Sequence, residues 1–238
     1  MSNKNFVMVD GLDGAGKGVV VDALHDWAKS KKLKVLDLKS YWKDSDDIPD
    51  FESVSEYEVI ISAEPTYALV GKGIRQEIIK KNEREYSAHS TAFAFSLDRE
   101  ILYRKLLIPA LKAGKLIFQE RGITTSLIYQ PVQGNISMNE ILALPGNKLA
   151  MQHSPGLVLI PKVTAQTSIV RLKNRSKKDD AIFENLKFQE KIRERFESEW
   201  FRTLLENHGS KVEYIENDML TEKEFREKII GLWNGFHG

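Results

Sequence analysis

The 238-residue chain contains no cysteine, which excludes disulfide bonds, thiol nucleophiles and cysteine-ligated metals. It also has no excess of charge of either sign, since 35 lysines and arginines face 34 aspartates and glutamates. This balance argues against a polycationic surface that binds nucleic acid without sequence preference. No apolar run approaches the roughly 18–20 residues that span a bilayer, and the N-terminus lacks the apolar stretch of a signal peptide. We therefore expect a cytoplasmic protein that binds neither membrane nor nucleic acid.

Short apolar or β-branched runs alternate along the chain with longer, mostly amphipathic segments. The strand candidates are 6–9, 35–38, 59–61, 116–118, 157–160 and 212–215. The helix candidates are 17–30, 73–81, 89–113, 167–174, 185–207 and 222–233. Continuous apolar runs are typical of strands covered on both faces, and their alternation with helices predicts a parallel sheet.

We predict a single α/β domain over residues 1–238, with helices on both faces of a parallel sheet of about five strands. Pro109 predicts a kink or break in the third helix, because proline lacks the backbone N–H and clashes with the preceding turn. Residues 131–155 contain several prolines and glycines, and we expect them to be irregular.

The strongest motif lies between the first strand and the first helix. It reads Gly11, Leu12, Asp13, Gly14, Ala15, Gly16, Lys17, Gly18. Glycines allow backbone N–H groups to approach phosphate oxygens, and the N-terminus of the following helix favours an anion. Lys17 would reach the β- and γ-phosphates of a nucleoside triphosphate. The alternative is a glycine-rich turn with a solvated lysine, but the strand–loop–helix context favours a phosphate loop that binds ATP.

Gly18 departs from this motif, which expects serine or threonine after the lysine as a ligand of Mg²⁺. A glycine has no hydroxyl to offer. Either water and other carboxylates hold the metal, or catalysis is weakened.

Other segments resemble the thymidylate kinase family of nucleoside monophosphate kinases, and the resemblance runs from about Phe6 to Trp200. The segments that carry it are Gly11–Gly14, Glu64–Thr66, Gly71–Arg75, Phe93–Arg99, Ile108–Lys115, Glu120–Gly122, Ser126, Tyr129–Gln130 and Arg171–Glu184. The resemblance implies a three-layer P-loop kinase fold with a helical lid over about residues 171–185. It also implies ATP with Mg²⁺ as phosphoryl donor, a deoxynucleoside monophosphate such as dTMP as acceptor, and a homodimer.

The resemblance also assigns roles to individual residues. The catalytic residues would be Lys17, Arg121, Asp13 and Glu64. ATP would be bound by Gly11, Gly14, Ala15, Gly16, Lys17, Gly18, Arg171 and Arg175. The acceptor would be bound by Asp13, Phe95, Arg99, Arg121, Ser126, Tyr129 and Gln130, and Glu120 would hold Mg²⁺ through water.

The chemistry of phosphoryl transfer supports several of these roles. The reaction needs cations around the transferred phosphoryl group, as Arg121 and the lid would supply. An aromatic face such as that of Phe95 supports a nucleobase, and Arg99 lies one helical turn further on the same face. The alternatives are that Phe95 packs in the core, that Arg121 lies in a surface turn, and that the run Arg171, Arg175, Lys177 and Lys178 is a solvated face. Glu120 would otherwise be a salt-bridge partner, Asp13 an acceptor for N–H groups of the loop, and Tyr129 and Gln130 ordinary loop or helix residues.

Three positions depart from the family pattern: Gly18, Ala63 in place of an arginine that grips the acceptor phosphate, and Glu120 in place of aspartate. Without that arginine, the Glu64–Pro65 segment also resembles deoxynucleoside kinases, in which Glu64 would act as general base on a sugar hydroxyl. A third hypothesis is a nucleotide-binding homologue with impaired catalysis.

Overall fold

The computed structural model describes residues 3–80, 82–174 and 186–238. Within these ranges six strands form one sheet in the order β2-β3-β4-β1-β5-β6, and every pairing is parallel. The strands are β1 Asn3–Val9, β2 Val35–Asp37, β3 Val59–Ala63, β4 Leu116–Glu120, β5 Pro155–Lys162 and β6 Lys211–Glu216. The predicted three-layer α/β fold is confirmed. The predicted strand count of about five is one too low, because even the three-residue β2 pairs with β3 at the edge of the sheet.

Helices cover both faces of this sheet. They are α1 Lys17–Ser30, α2 Leu38–Tyr41, α3 Leu69–Gly73, α4 Ala88–Leu102, α5 Ile108–Lys112, α6 Ile123–Gln133, α7 Met138–Ala143, α8 Pro145–Gln152, α9 Ala165–Lys173, α10 Leu186–Phe196, α11 Glu199–Asn207 and α12 Glu222–His237. A 3₁₀ turn spans Phe51–Val54, and π turns span Ile74–Ile78 and Tyr103–Leu107. No helix in the described ranges is long and apolar enough to cross a membrane.

The core lies on both sides of the sheet because alternate residues of each strand face opposite layers. Phe6 and Met8 of β1 pack into one buried apolar cluster, whereas Val7 and Val9 pack into the other. Both clusters consist of side chains with almost no exposed area, as expected for parallel strands covered by helices.

The structure confirms one helix prediction and corrects another. The irregularity expected at Pro109 is a π turn, Tyr103–Leu107, between α4 and α5; it lies where the proline ring would otherwise meet the preceding helical turn. Residues 131–155 are largely helical, not irregular. A capping box formed by Ser137 and Glu140 begins α7, and Pro145 lies in the first turn of α8.

Parallel pairing brings the carboxyl ends of three central strands to one edge. Glu120 of β4 lies opposite both Val9 of β1 and Ala63 of β3. The connections that follow these strands therefore begin side by side. In open α/β sheets this is the edge at which ligands bind.

Candidate active site

The connection after β1 folds tightly against two other parts of the chain. Its positive φ angles are 142° at Gly11, 77° at Gly14 and 101° at Gly16. A Cβ on Gly14 would lie 2.8 Å from the carbonyl oxygen of Ser168, and one on Gly16 would lie 2.8 Å from Nδ2 of Asn217. The same Asn217 amide donates to the carbonyl oxygen of Ala15 at 2.7 Å. Both conformation and space therefore require glycine at these two positions.

Lys17 begins α1, and its side chain is only 7% exposed. Its Nζ donates to the carbonyl oxygens of Gly11 at 3.0 Å and Leu12 at 2.7 Å, and it lies 3.2 Å from Oδ1 of Asp13. Burial and the positive charge of Arg121 lower the pKa of Lys17, while Asp13 opposes the shift. The ammonium is thus held over the loop by oxygens that phosphate oxygens could replace.

Arg121 connects this loop to β4. It has a φ of 63°, and its backbone N–H donates to the carbonyl oxygen of Val9 at 2.8 Å, which fixes it beside the start of the loop. Its guanidinium pairs with Asp13 and lies 3.6 Å from Oδ1 of Asp10. It also lies 5.6 Å from the centroid of the Tyr129 ring. The structure therefore places Arg121 against the phosphate loop, and not in a surface turn.

Asp10 was not identified from the sequence. It is fully buried, accepts from the backbone N–H of Gly11 at 2.8 Å, and accepts from the hydroxyls of Thr124 and Thr125 at 2.6 Å each. The carboxylate thereby ties the start of the loop to α6. A single acidic residue closing an apolar strand before a glycine motif was the signal that could have indicated it.

Glu120, at the end of β4, contacts a lysine that the sequence interpretation did not consider. Its Oε2 pairs with Nζ of Lys39, the second residue of α2. Burial alone would raise the pKa of Glu120, but Lys39 with Lys17 and Arg121 lowers it below its usual value. Glu120 is therefore an ionised carboxylate at the mouth of the donor loop.

A metal would find few ready-made ligands here. The described residues contain no group of three or more His, Cys, Asp or Glu that could hold a metal ion by itself. Mg²⁺ often keeps several waters and takes one or two carboxylates besides substrate phosphates. Glu120 can supply such a carboxylate, whereas Gly18 supplies nothing, and a Cβ there would have no described atom within 4 Å. The residues fit a metal held mainly by phosphate and water.

Glu64, which follows β3, lies in a buried polar cluster. Its Oε2 lies 2.7 Å from Nη2 of Arg99, and its Oε1 accepts from Nε2 of Gln119 at 2.9 Å. Burial raises the pKa of Glu64 to about 7, despite the opposing charge of Arg99. Arg99 itself is 1% exposed and also contacts Asn147. It was predicted to bind the acceptor; in the structure its guanidinium is buried against Glu64 and also donates at 3.2 Å to the hydroxyl of Ser126.

A second buried carboxylate supports the same corner. Asp98, the neighbour of Arg99 on α4, accepts from the backbone N–H of Thr66 at 2.8 Å and from its hydroxyl at 2.6 Å. This pair anchors the connection after β3 to α4. Asp98 belongs to the Phe93–Arg99 motif, in which no role was predicted for it.

The predicted acceptor residues of α4 and α6 largely face one cavity. Phe95 is partly buried and lines the cleft with Ser126, Tyr129 and Gln130. Nε2 of Gln130 donates to the Ser126 hydroxyl at 3.4 Å, while its buried Oε1 has no partner within the described part of the chain. This wall combines an aromatic ring with polar groups able to bind a base edge. Phe95 is not a core residue.

Arg75 enters the cleft from the π turn after α3. Its Nε donates to the carbonyl oxygen of Pro65 at 2.9 Å, and its guanidinium stacks 3.7 Å from the centroid of the Tyr67 ring. Burial lowers its pKa. It lines the same cavity as Ala63. A cation therefore reaches the cavity that Ala63 lines from a different element, and the resemblance of Gly71–Arg75 could have indicated it.

One cleft of about 1200 Å³ joins the two sets of residues. Its walls include Lys17 and Gly18 at one end and Phe95 and Gln130 at the other, with Arg121 also in the lining. The cleft therefore offers a cationic loop and an aromatic, amide-lined pocket within one space.

The predicted lid is only partly covered by the structure. Arg171, at the end of α9, donates to the carbonyl oxygens of Gly14 at 3.4 Å and Asn217 at 2.7 Å. It thus contacts the outside of the phosphate loop. Arg175 and the rest of the segment through residue 185 lie outside the described residues.

A strand–glycine loop–helix unit with a buried lysine, opening onto a cleft at the carboxyl edge of a parallel sheet, defines a phosphate-loop nucleotide-binding protein. A family model described as thymidylate kinase matches residues 51–217, well over half of the chain. The chain therefore belongs to the thymidylate kinase family, as the sequence resemblance predicted. The matched segment begins after α2, so the phosphate loop and Lys39 lie outside it.

Individual relatives carry the same name. The chain is 28% identical over 225 residues to a probable thymidylate kinase of Thermococcus onnurineus (strain NA1), covering 90% of this chain and 95% of the relative. It is 28% identical over 192 residues to a thymidylate kinase of Prochlorococcus marinus (strain MIT 9301), covering 80% and 81%. A crystal structure of thymidylate kinase from Ehrlichia chaffeensis matches with a TM-score of 0.63 at 16% identity, over 97% and 98% of the two chains. That likeness supports the fold.

Proposed function

We propose that the chain is a nucleoside monophosphate kinase that transfers the γ-phosphoryl group of ATP to dTMP, giving ADP and dTDP. The observation that carries this proposal is the continuous cleft in which Lys17 and Arg121 share walls with Phe95 and Gln130. A donor triphosphate and an acceptor nucleotide can lie end to end in such a space. Family membership supports the same assignment.

At the donor end, the loop and Lys17 bind the phosphates of ATP. Arg121 lies between this loop and Tyr129 of the acceptor wall, so its guanidinium can contact both phosphoryl groups. An oxygen of the acceptor phosphate attacks the γ-phosphorus, and the bond from that phosphorus to the β–γ bridging oxygen breaks. Because little covalent work falls to the protein, positioning and charge neutralisation account for most of the catalysis.

At the acceptor end, the Phe95 ring stacks on the base, while Ser126 and Gln130 bind its polar edge. Tyr129 packs beside the sugar, and Arg75 supplies the cation that Ala63 cannot. Asp13 contacts the acceptor sugar or phosphate while pairing with Arg121. These assignments rest on the placement of the side chains along one cleft.

Mg²⁺ is the proposed cofactor, with Glu120 as the protein carboxylate that holds it through water. When bound, the ion would neutralise charge on the β- and γ-phosphate oxygens. Glu120 reaches the cleft beside Lys17 and Gly18, which supports this role.

The buried Glu64 favours a monophosphate acceptor over an unphosphorylated nucleoside. A general base must reach the proton that it removes. Both carboxylate oxygens of Glu64 are instead engaged, one by Arg99 and the other by Gln119. We therefore assign Glu64 a structural part in the acceptor wall and retain the deoxynucleoside kinase as the second candidate.

One assay separates the candidates: release of ADP from ATP and Mg²⁺ with dTMP, other nucleoside monophosphates or thymidine as acceptor. Turnover with dTMP is expected. Turnover with thymidine alone would replace the proposal by a deoxynucleoside kinase. ATP binding without turnover on any acceptor would favour the impaired homologue that Gly18 suggests.

We also propose that the chain forms a homodimer and works in the cytoplasm, where its nucleotide substrates occur. Phe93 and Leu97, four residues apart on α4, are 57% and 49% exposed and present an apolar face that a second copy could cover. Light scattering at micromolar concentration should give twice the 27.2 kDa chain mass. A monomeric mass would exclude the dimer, and Leu97→Asp should weaken it.

A further inference from the structure

Lys39 enters the donor end of the cleft from outside the recognised phosphate loop. It lines the cavity together with Lys17, Gly18 and Glu120. Its Nζ pairs with Glu120, whose charge also reaches Lys17. The glycine loop and its lysine account for the usual donor site, so Lys39 is an additional ammonium group at that site.

The position of Lys39 is built into the fold. It lies two residues after β2, and its backbone N–H donates at 3.0 Å to Oδ1 of Asp37, the N-cap of α2. The preceding residue, Leu38, is fully buried. A capped turn and a buried anchor therefore fix the backbone from which Lys39 reaches Glu120. This distinguishes it from a lysine on a solvated loop.

The charges at the donor end explain why an additional ammonium group there would affect the binding of a triphosphate. Lys17 is engaged by loop carbonyls and Asp13, and Arg121 pairs with Asp13. A triphosphate requires further positive charge, normally from a metal whose loop ligand is the hydroxyl that Gly18 lacks. Lys39 faces the carboxylates of Glu120 and, more distantly, Asp22. Phosphate oxygens arriving beside Gly18 would offer its ammonium a third anionic partner.

We infer that Lys39 is a nucleotide-binding residue that contacts the terminal phosphates of the donor and makes donor binding only partly dependent on Mg²⁺. The inference rests on the proposed function, because it takes ATP as the donor. The ammonium replaces part of the charge that the metal supplies in a loop with a serine or threonine. Lys39 leaves Glu120, or bridges from it, when the nucleotide enters.

Isothermal titration of the full-length protein with ATP, in EDTA and in Mg²⁺, tests this inference. Wild-type protein is expected to bind ATP in both conditions. Lys39→Ala should weaken metal-free binding by about tenfold, the effect of losing one partly solvated charge-assisted contact, and should weaken binding in Mg²⁺ less. Lys39→Arg should retain most of the metal-free affinity. Lys43→Ala, an exposed lysine just after α2, is the matched control and should bind as wild type does.

A double variant distinguishes contact with phosphate from simple neutralisation of Glu120. If Lys39 only neutralised that carboxylate, Lys39→Ala/Glu120→Gln would regain the wild-type metal-free affinity, and the inference would be wrong. If Lys39 binds phosphate, the double variant stays weak, while Glu120→Gln alone binds metal-free ATP more tightly because Lys39 is released. Equal metal-free affinity of wild type and Lys39→Ala would also overturn the inference.

The same titrations separate this inference from the proposed function. Wild-type protein that bound ATP neither with nor without Mg²⁺ would refute the donor site itself. Wild-type protein that bound ATP in EDTA, lost binding on Lys17→Ala and was unaffected by Lys39→Ala would leave the donor site standing and refute only the role of Lys39.

Discussion

The two ends of the cleft are built in different ways. The donor end is mostly one continuous segment, Gly11–Gly18, in which Lys17 hydrogen-bonds to carbonyls five and six residues away. The acceptor end is assembled from side chains of several elements, and Glu64 and Arg99 meet across 35 positions of sequence. A local site can be inferred from spacing alone. A composite site depends on how strands and helices pack, and its residues cannot be found by spacing.

The two ends also shift the pKa of a buried carboxylate in opposite directions. Burial raises the pKa of Glu64 to about 7. The pKa of Glu120 is lowered, because Lys39, Lys17 and Arg121 outweigh its burial. The acceptor end thus contains the buried ion pair of Glu64 and Arg99, whereas the donor end is a cationic opening suited to phosphate.

The largest effect is expected from Lys17→Ala, which removes the buried cation of the donor end. The kcat/KM for ATP should fall by at least about 10²–10³-fold, as for other preorganised groups that stabilise transition-state charge. Steady-state ADP release measures it. Lys29→Ala, an exposed lysine on the same helix, is the control. Near wild-type rates in the Lys17→Ala variant would show that this loop is not the site that binds the donor phosphates.

A pH titration of stability should distinguish the two carboxylates. A raised pKa means that folded Glu64 holds its proton more tightly, so its contribution is full below the unfolded value of about 4.5 and is lost as pH rises through about 7. The free energy of unfolding of wild type relative to Glu64→Gln should therefore decline over this window. The change should be on the order of 3 kcal/mol at about 1.4 kcal/mol per pKa unit.

The Glu120→Gln variant should show the opposite dependence of stability on pH. Because the folded pKa of Glu120 is lowered, its contribution is present at neutral pH and is lost as pH falls below about 4.5. Denaturant unfolding between pH 3 and pH 8, monitored by circular dichroism, measures both slopes. Two slopes of the same sign would contradict the electrostatic difference between the ends.

Much of the fold was predictable because its signals are local. Each of the six apolar runs became a strand, and the loop ending in Lys17 starts α1 at the predicted residue. Residues 131–155 were misjudged because prolines were interpreted as breakers, whereas Pro145 occupies the first turn of a helix, a position that tolerates it. Residue propensities alone did not indicate that packing against the rest of the fold would make this segment helical.

The site was less predictable than the fold, because many of its contacts join residues that are distant in the sequence. Phe95, Tyr129 and Gln130 line the cleft, where the family resemblance had placed the acceptor. Lys39 and Arg75 were given no role, and the burial of Arg99 against Glu64 was not anticipated. Their positions depend on sheet order and on which face of a helix is covered, which appear only when the chain is folded.

The Phe95→Ala variant tests whether the acceptor end of the cleft binds the base. Loss of the aromatic face should raise the KM for dTMP by about tenfold, within the roughly 1–3 kcal/mol that stacking on a base contributes, and leave the KM for ATP nearly unchanged. Phe95→Leu keeps apolar volume without a ring and should behave similarly, whereas Phe95→Tyr should restore wild-type values. An unchanged KM for dTMP in the alanine variant would show that the Phe95 ring does not bind the base.

The smallest effect is expected at Gly18, where the donor end lacks a metal ligand. A Cβ at this position meets no described atom within 4 Å, so a side chain can begin at Gly18 without a clash at its Cβ. The new hydroxyl should lower the half-saturating Mg²⁺ concentration of the ADP-release assay a few-fold, because it adds one oxygen ligand to an ion otherwise held by phosphate, water and Glu120. Gly18→Ala adds only the methyl group and should leave that concentration unchanged. If threonine and alanine behaved alike, the metal would lie away from the start of α1.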